Sequence, residues 1–244
     1  MSGSVVTVPR SLNRDGVCKT NLRGAIIANK VYDYATTSNG VISGGPDSGK
    51  ISTSGAGTWA NSVAWAHYST NEDGDARLTY PKNASVSTSG TILFRMYIQT
   101  RTNPLVSQYV FYNGAVGGNG YAVILEYNNK VDPPEYNVFF YHMDDVTGTD
   151  RFQLNSAPMN INQWYQYSIK FETVTISATT ITTVTAYENG TQTVTPTAFN
   201  NPIQTPTGTT VVLASFHGRI TDFAILDTLF SDQYLARFGT APFI

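Results

Sequence analysis

The sequence predicts an all-β fold, an antiparallel β-sandwich with an N-terminal arm and a short C-terminal helix. Three observations carry that expectation. Apolar residues recur with period 2 over short runs, which is the spacing of a half-buried strand. Those runs are punctuated by Gly, Asn and Pro, the residues that supply turn geometry. Charged side chains make up only 13% of the 244 residues, against roughly 25% in ordinary soluble domains, and Thr, Asn, Ser, Gly and Tyr fill the difference. The hydrophobic share of 41% is enough for a sizeable core, and sandwiches of this length commonly form one domain.

Residues 1–28 lack sustained periodicity and hold Arg10, Arg14, Lys19 and Arg23, four of the 15 Lys and Arg residues. A segment this polar does not build a core of its own. It reads as a docking arm, with those four side chains as its candidate contacts, and the sandwich then occupies residues 29–244.

The strands follow in order. "GTILFRMYIQT" alternates Ile92, Phe94, Met96 and Ile98 against Thr91, Leu93, Arg95 and Tyr97, which gives one strongly apolar face. "SQYVFYNG" and "GYAVILEYNN" are two more strands around the glycine-rich "NGAVGGNG", and "YNVFFYHMDD" follows a turn at Pro133 and Pro134. In "NQWYQYSIKF" a polar turn leads into a strand with Tyr165, Tyr167, Ile169 and Phe171 on one face and Gln166, Ser168 and Lys170 on the other. Trp164, at the first residue of that strand, reads as a packing anchor at the core or its rim.

The run "TVTISATTITTVTAYENGTQTVT" is threonine-rich, and its β-branched residues favour extended backbone. Val174, Ile176, Val184 and Tyr187 interrupt the polar pattern where buried strands need apolar residues, so it is not a low-complexity tract. Asn189-Gly190 supplies the positive φ angles of a tight hairpin turn. The closing "GRITDFAILDTLFSDQYLARFG" reads as a strand from Ile220 to Leu226 and then a short helix. Ser231 is its candidate N-cap and Gly239 its stop, with Leu235 and Phe238 facing the sandwich.

From about residue 80 to 238, this order of pieces resembles the concanavalin A-like, laminin G-like jelly rolls. The residues that carry the resemblance are "TILFRMYIQ", "NQWYQYSIKF", the asparagine-glycine turn in "YENGTQ", the closing "GRITDFAIL" and the short helix in "LFSDQYLARF". It implies a concanavalin A-like (laminin G-like) antiparallel sandwich over roughly two-thirds of the chain, with sugar binding as the commonest non-enzymatic use of the fold.

Composition excludes several classes. With a net charge of −2 there is no electrostatic footprint for nucleic acid. Cys18 is the one cysteine, so there is no internal disulfide and no cysteine pair for a metal. No stretch approaches the roughly 18 apolar residues of a membrane span. "MSGSVVTVPRSLNRDG" does not read as a signal peptide, so synthesis in a cytoplasm is the expectation. The sequon-form sites Asn83 and Asn189 then carry little meaning.

Catalytic signals are equally sparse. Hydrolases with this kind of sandwich resemble one another through an E-x-D-x-x-E or E-x-D-x-E strand, and none occurs here. Glu126 and Glu135 stand alone in their strands and read as solvated edge residues. His67, His142 and His217 have no metal or triad spacing, and no G-x-S-x-G occurs. No cofactor is expected, with calcium as the one candidate. Asp144, Asp145 and Asp150 surround Gly148, and Asn71, Glu72, Asp73 and Asp75 surround Gly74. Closely spaced hard oxygen donors on a glycine-bent loop suit that ion, although neither loop has the twelve-residue pattern with its terminal glutamate.

The candidate ligand or partner contacts are aromatic residues assigned to loops, namely Trp59, Trp65, Tyr112 and Tyr121, with Tyr68 nearby in sequence. Sugars stack on such faces, and protein interfaces use them as well. The expected function is that of a non-enzymatic virion-surface protein of a bacteriophage, a capsid decoration or tail or fibre subunit presenting a lectin-like sandwich. Its expected partners are other virion proteins, copies of itself as a homo-oligomer, and a host-surface glycan, with no nucleic acid and no membrane. The alternatives are a free lectin or adhesin and a glycan-active hydrolase.

Overall fold

In the computed structural model the period-2 runs become the strands of two antiparallel sheets. Residues 88–98, 107–114, 118–132, 134–142, 150–207 and 228–238 are described in full. Phe223, Ile225 and Leu226 are described with them, as is the backbone of the remaining strands at 22–27, 30–33, 41–43, 51–52, 64–67, 77–81, 210–213 and 218–226. The elements are β1 (Leu22–Ile27), β2 (Lys30–Asp33), β3 (Val41–Ser43), β4 (Ile51–Ser52), β5 (Ala64–His67), β6 (Arg77–Pro81), β7 (Gly90–Ile98), β8 (Ser107–Gly114), β9 (Gly120–Asn128), β10 (Glu135–His142), β11 (Arg151–Gln153), β12 (Trp164–Ile176), β13 (Thr179–Glu188), β14 (Thr191–Ala198), β15 (Thr210–Leu213), β16 (Gly218–Leu226) and α1 (Asp232–Phe238).

A nine-stranded sheet runs β14-β13-β12-β7-β16-β1-β2, with β5 also paired to β16 and β4 to β5. A seven-stranded sheet runs β11-β10-β9-β8-β15-β6-β3. The sheet begins inside the segment that the sequence assigns to the arm, because Leu22 and Arg23 of β1 pair with Ile225 and Ala224 of β16. Arg10, Arg14 and Lys19 lie outside the described residues. Among the described residues, no helix is long and apolar enough to cross a membrane.

The core lies between the sheets. Ile92, Phe94, Met96, Tyr167, Ile169, Phe171, Phe223 and Ile225 of one sheet meet Phe111, Tyr121, Val123, Leu125, Val138 and Phe140 of the other. Aromatic pairs cross the gap, with ring centroids of Phe111 and Phe223 5.0 Å apart and those of Tyr121 and Phe171 4.8 Å apart. Edge-on and tilted pairs of this kind add to the stabilisation from area burial alone. The face expected from "NQWYQYSIKF" is confirmed, with Tyr167, Ile169 and Phe171 in the core and Tyr165 packed against it.

The opposite face of this sheet departs from expectation. The alternation marks only the core side of β7 as strongly apolar, yet Thr91, Leu93 and Arg95 on its other side are buried as well. The reason is α1, which lays Leu235 and Phe238 over Leu93, Tyr187 and Leu226 as a second small core. Ser231 caps it, its Oγ accepting the Tyr234 N–H at 3.3 Å. Ser168 Oγ donates to the Leu235 carbonyl at 3.1 Å, and Lys170 pairs with Asp232. Arg95 Nε donates to Gln166 Oε1 at 2.9 Å while its guanidinium lies 5.6 Å from the Phe238 ring centroid. Trp164 is half-buried at the rim, 5.5 Å from the Tyr97 ring.

Two tight turns shape the threonine-rich run. Asn189 and Gly190 have φ of 49° and 83° between the paired residues Glu188 and Thr191, as their identities predict. Ser177 and Ala178 make a second such turn, with φ of 49° and 69° between the paired residues Ile176 and Thr179. Nothing in the identities of that dipeptide advertises positive φ, so the turn is imposed by the register of the strands on either side. Across β8 and β9, Gly114 and Gly120 have φ of 140° and 139°, and a Cβ on Gly120 would fall 2.1 Å from the Asn113 carbonyl oxygen.

Candidate functional site

Whereas α1 covers part of the outer face of the nine-stranded sheet, the outer face of the seven-stranded sheet carries a row of aromatic side chains. Its geometry follows from register. Tyr112 is paired with Ala122 and Ala122 with Tyr141, while one step along Tyr109 is paired with Ile124 and Ile124 with Phe139. Successive residues of a strand point to opposite faces, so Tyr136, Val138 and Phe140 enter the core and Phe139 and Tyr141 stand outside it. Tyr112 and Ala122 form a cluster of their own, with Tyr109 and Tyr141 packed on it.

Tyr109 and Tyr112 meet edge to face at 5.5 Å. Burial, with the neighbouring Tyr112 phenol second, raises the Tyr109 hydroxyl above the ordinary tyrosine range. The Tyr109 phenol therefore stays a neutral hydrogen-bonding group at physiological pH. Phe139 lies under Arg151, whose guanidinium carbon is 4.3 Å from the ring centroid. From β11 that arginine reaches across β10 to pair with Glu126 of β9. Amides border this ion pair, with Gln153 Nε2 donating to Asn137 Oδ1 at 3.2 Å and Asn155 Nδ2 to the same oxygen at 2.9 Å. Half-exposed aromatic faces, amides and one charged pair thus converge on a single sheet surface.

The residues expected from sequence distribute unevenly over this picture. Tyr112 belongs to the surface, on a strand rather than a loop and only 8% exposed. Tyr121 does not. It is fully buried among core aromatics, where its hydroxyl accepts the Asn113 Nδ2–H at 2.9 Å, so its placement on an exposed loop is corrected. Its position in β9, one residue from Ala122, turns it inward. Burial pushes that phenol well above the usual tyrosine range. Trp65 sits on β5, whose backbone joins the other sheet through Ile220, and Trp59 and Tyr68 lie outside the described residues. Tyr109, Phe139 and Tyr141 escape a search of loops, although the alternation of "YNVFFYHMDD" sets Phe139 and Tyr141 opposite the core residues.

Acidic and histidine residues fall as follows. Asp144, Asp145 and the loop around Gly74 lie outside the described residues. Asp150 is buried and caps a turn, its Oδ1 accepting the Asn200 N–H and its Oδ2 the Asn201 N–H, both at 2.9 Å. Among the described residues no group of three or more His, Cys, Asp or Glu side chains could hold a metal ion. His142 is buried 5.8 Å from the Phe199 ring, and the side chains of His67 and His217 are outside the described set. Glu126 and Glu135 differ from their reading as isolated edge residues. Glu126 is paired with Asn137 and Glu135 is two residues before it, so both project from the outer face as diagonal neighbours. Such neighbours lie about 7–8 Å apart.

No family model matches this chain, and no curated protein matches it. Solved folds do. A receptor binding domain superposes with a TM-score of 0.61 at 12% identity, over 93% of this chain and 53% of that one. The binding domain of botulinum neurotoxin DC in complex with SialylT gives 0.60 at 13% identity, over 91% and 51%. Trypanosoma rangeli sialidase in complex with sialic acid gives 0.50 at 7% identity, over 90% and 32%. This chain spans about half the length of the first two and about a third of the last. At these identities the likeness is one of fold, and the fold is an antiparallel β-sandwich of the lectin-like kind.

Proposed function

We propose that this chain is a non-enzymatic binding module of a bacteriophage virion surface, a homo-oligomeric subunit that contacts a host glycan or a partner protein. The observation that carries the binding role is the outer face of the seven-stranded sheet, where Tyr109, Tyr112, Phe139 and Tyr141 adjoin Asn137, Gln153 and the Arg151–Glu126 pair. Sugar rings stack on aromatic faces while amides and charged groups read their hydroxyls, a combination of few polar groups on an apolar floor. The similar folds include a receptor binding domain and a neurotoxin binding domain in complex with SialylT, which supports a search among glycans. The virion part of the reading rests on composition. A chain with only 13% charged residues packs against copies of itself at little electrostatic cost.

A glycan array probed with the purified chain tests the proposal. Retention of a defined glycan class, weakened in Tyr141→Ala, supports it. Absence of binding to glycans and to virion proteins alike would refute it. Glu126 and Glu135 on one face favour a second reading, a glycoside hydrolase, since two carboxyls on either side of a glycosidic bond are the requirement for that chemistry.

A further inference from the structure

Strand β11 ends at Gln153, and the side chain of Asn155 takes over its pairing with β10. The Leu154 N–H donates to the Val138 carbonyl at 2.8 Å, while the Val138 N–H donates to Asn155 Oδ1, also at 2.8 Å. Asn155 is 4% exposed. Its Nδ2 donates to the Ala157 carbonyl at 2.8 Å and to Asn137 Oδ1 at 2.9 Å. A backbone N–H can only donate and a backbone carbonyl can only accept, so the bonds to Val138 and Ala157 fix which end of this buried amide is which.

That orientation passes to two amides on the outer face of the seven-stranded sheet. Asn137 Oδ1 accepts from Asn155 and, at 3.2 Å, from Gln153, which leaves Asn137 Nδ2 as the unused end. Gln153 Nε2 also donates to the Asn155 carbonyl at 3.2 Å, which leaves Gln153 Oε1 unused. Neither of those two atoms has a hydrogen-bond partner among the described residues. Asn137 is half-buried and Gln153 exposed, so both are within reach of a ligand. Asn137 stands two residues before Phe139, and Gln153 is the register partner of Phe139. A free donor and a free acceptor, both fixed from beneath, therefore adjoin the aromatic row.

We infer that Asn137 Nδ2 as donor and Gln153 Oε1 as acceptor read the hydroxyls of a neutral sugar, with Asn155 as the positioning residue that sets their polarity. The inference rests on the binding role proposed above for this face and names the class of glycan it takes. A sugar hydroxyl both accepts and donates, so one hydroxyl or a neighbouring pair satisfies both groups at once. A carboxylate only accepts, and it would turn a lone pair toward Gln153 Oε1. An ammonium only donates, and it would turn a proton toward the Asn137 N–H. Arg151, the cation of this face, is already paired with Glu126, so it offers a carboxylate no uncommitted charge. Amides fixed before the sugar arrives also lose little rotamer freedom on binding, which is what Asn155 contributes.

The test is retention by the full chain on an array of neutral hexose, N-acetylhexosamine, hexosamine and hexuronate oligosaccharides. The best-held neutral class should bind at least about tenfold tighter than the hexosamine and hexuronate classes. Asn137→Asp keeps an oxygen for Asn155 and Gln153 but presents a second acceptor in place of the free donor. It should lose about tenfold on the neutral sugar and gain on the protonated hexosamine, a reversal that loss of folding does not mimic. Asn155→Asp keeps the acceptor for the Val138 N–H and removes the donor to Asn137, so the Asn137 amide turns over and the same reversal should follow although Asn155 touches no sugar. Tightest binding of a carboxylate or ammonium sugar, or unchanged selectivity in Asn137→Asp, overturns the inference while retention weakened by Tyr141→Ala still upholds the binding role of the face. Retention of no glycan at all overturns both.

Discussion

Tyr167 donates its hydroxyl to Glu188 Oε1 at 3.0 Å, a bond that ties the middle of the core to the last residue of β13. The other oxygen of Glu188 accepts the Ser156 N–H at 3.1 Å and the Ser156 hydroxyl at 3.0 Å. A nearly buried carboxylate therefore joins two strands and a loop at one point. Glu188→Ala strands a buried phenol and a backbone donor, at about 1–3 kcal/mol for each unmet group. The expected loss of unfolding free energy is about 3 kcal/mol, measured as a lower urea midpoint with an unchanged slope. Glu188→Gln keeps an acceptor for Tyr167 and should lose less.

Alkaline pH should destabilise the fold through the same core. Burial raises the phenol of Tyr121 and, with Glu188 adding to it, that of Tyr167 well above the ordinary tyrosine range. Below about pH 10 both states hold these protons and the contribution is fully present. As pH rises past that point the unfolded chain releases them while the folded chain retains them, so stability falls until the folded groups titrate as well. Each phenol adds about 1.4 kcal/mol per pH unit to that fall. Melting temperatures between pH 9 and 11 should drop steeply in the native chain and less steeply, by about one proton, in Tyr121→Phe. An unchanged slope in the variant would sink the assignment.

Truncation separates the arm from the sheet. β1 lies between β16 and β2 in the nine-stranded sheet, so deleting residues 1–28 removes a paired strand and exposes the edge of β16 where β1 lay, whereas deleting residues 1–21 leaves every described strand in place. The longer deletion should melt at a clearly lower temperature than the shorter one. If residues 1–21 carry attachment, as the basic side chains of Arg10, Arg14 and Lys19 suggest, the shorter deletion should remain folded yet fail to join its assembly.

How much of this was legible in the sequence depends on the range of the forces involved. The central strands β7 to β10, β12 to β14 and β16, the Asn189-Gly190 turn and the Ser231 cap rest on local pattern and stand where it puts them, whereas the short β11 and β15 were not read from sequence. What α1 covers is tertiary, so the burial of Leu93 and Arg95 on the outer face of β7 left no local trace. The turn at Ser177 and Ala178 is likewise set by strand register, against the preferences of its own residues. The aromatic surface lay between these extremes. Its members on β10 follow from period 2, but assembling them with Tyr109 and Arg151 requires the register of four strands, which no single segment specifies. Tyr121 shows the converse, because an aromatic residue just after a glycine-rich loop looks exposed until the parity of its strand is fixed.

Binding and hydrolysis on the outer face of the seven-stranded sheet make different demands on Glu126. In the binding reading its carboxylate holds Arg151 over the Phe139 ring. Glu126→Gln then keeps a hydrogen bond to the guanidinium and should change glycan retention only a few-fold, within about 1 kcal/mol. Tyr141→Ala removes a stacking face worth about 0.5–1.5 kcal/mol beyond area burial and should weaken retention about tenfold, with the fold intact because the ring is half-exposed. In the hydrolytic reading Glu126 and its diagonal neighbour Glu135 act on a glycosidic bond. The native chain would then release reducing ends from a bound oligosaccharide, and Glu126→Gln and Glu135→Gln would each abolish that release while retaining the sugar. Incubating the native chain with the retained glycan and assaying reducing ends decides between them. None should appear if the sheet face only binds, and their appearance, lost in both variants, would replace the binding module with an enzyme.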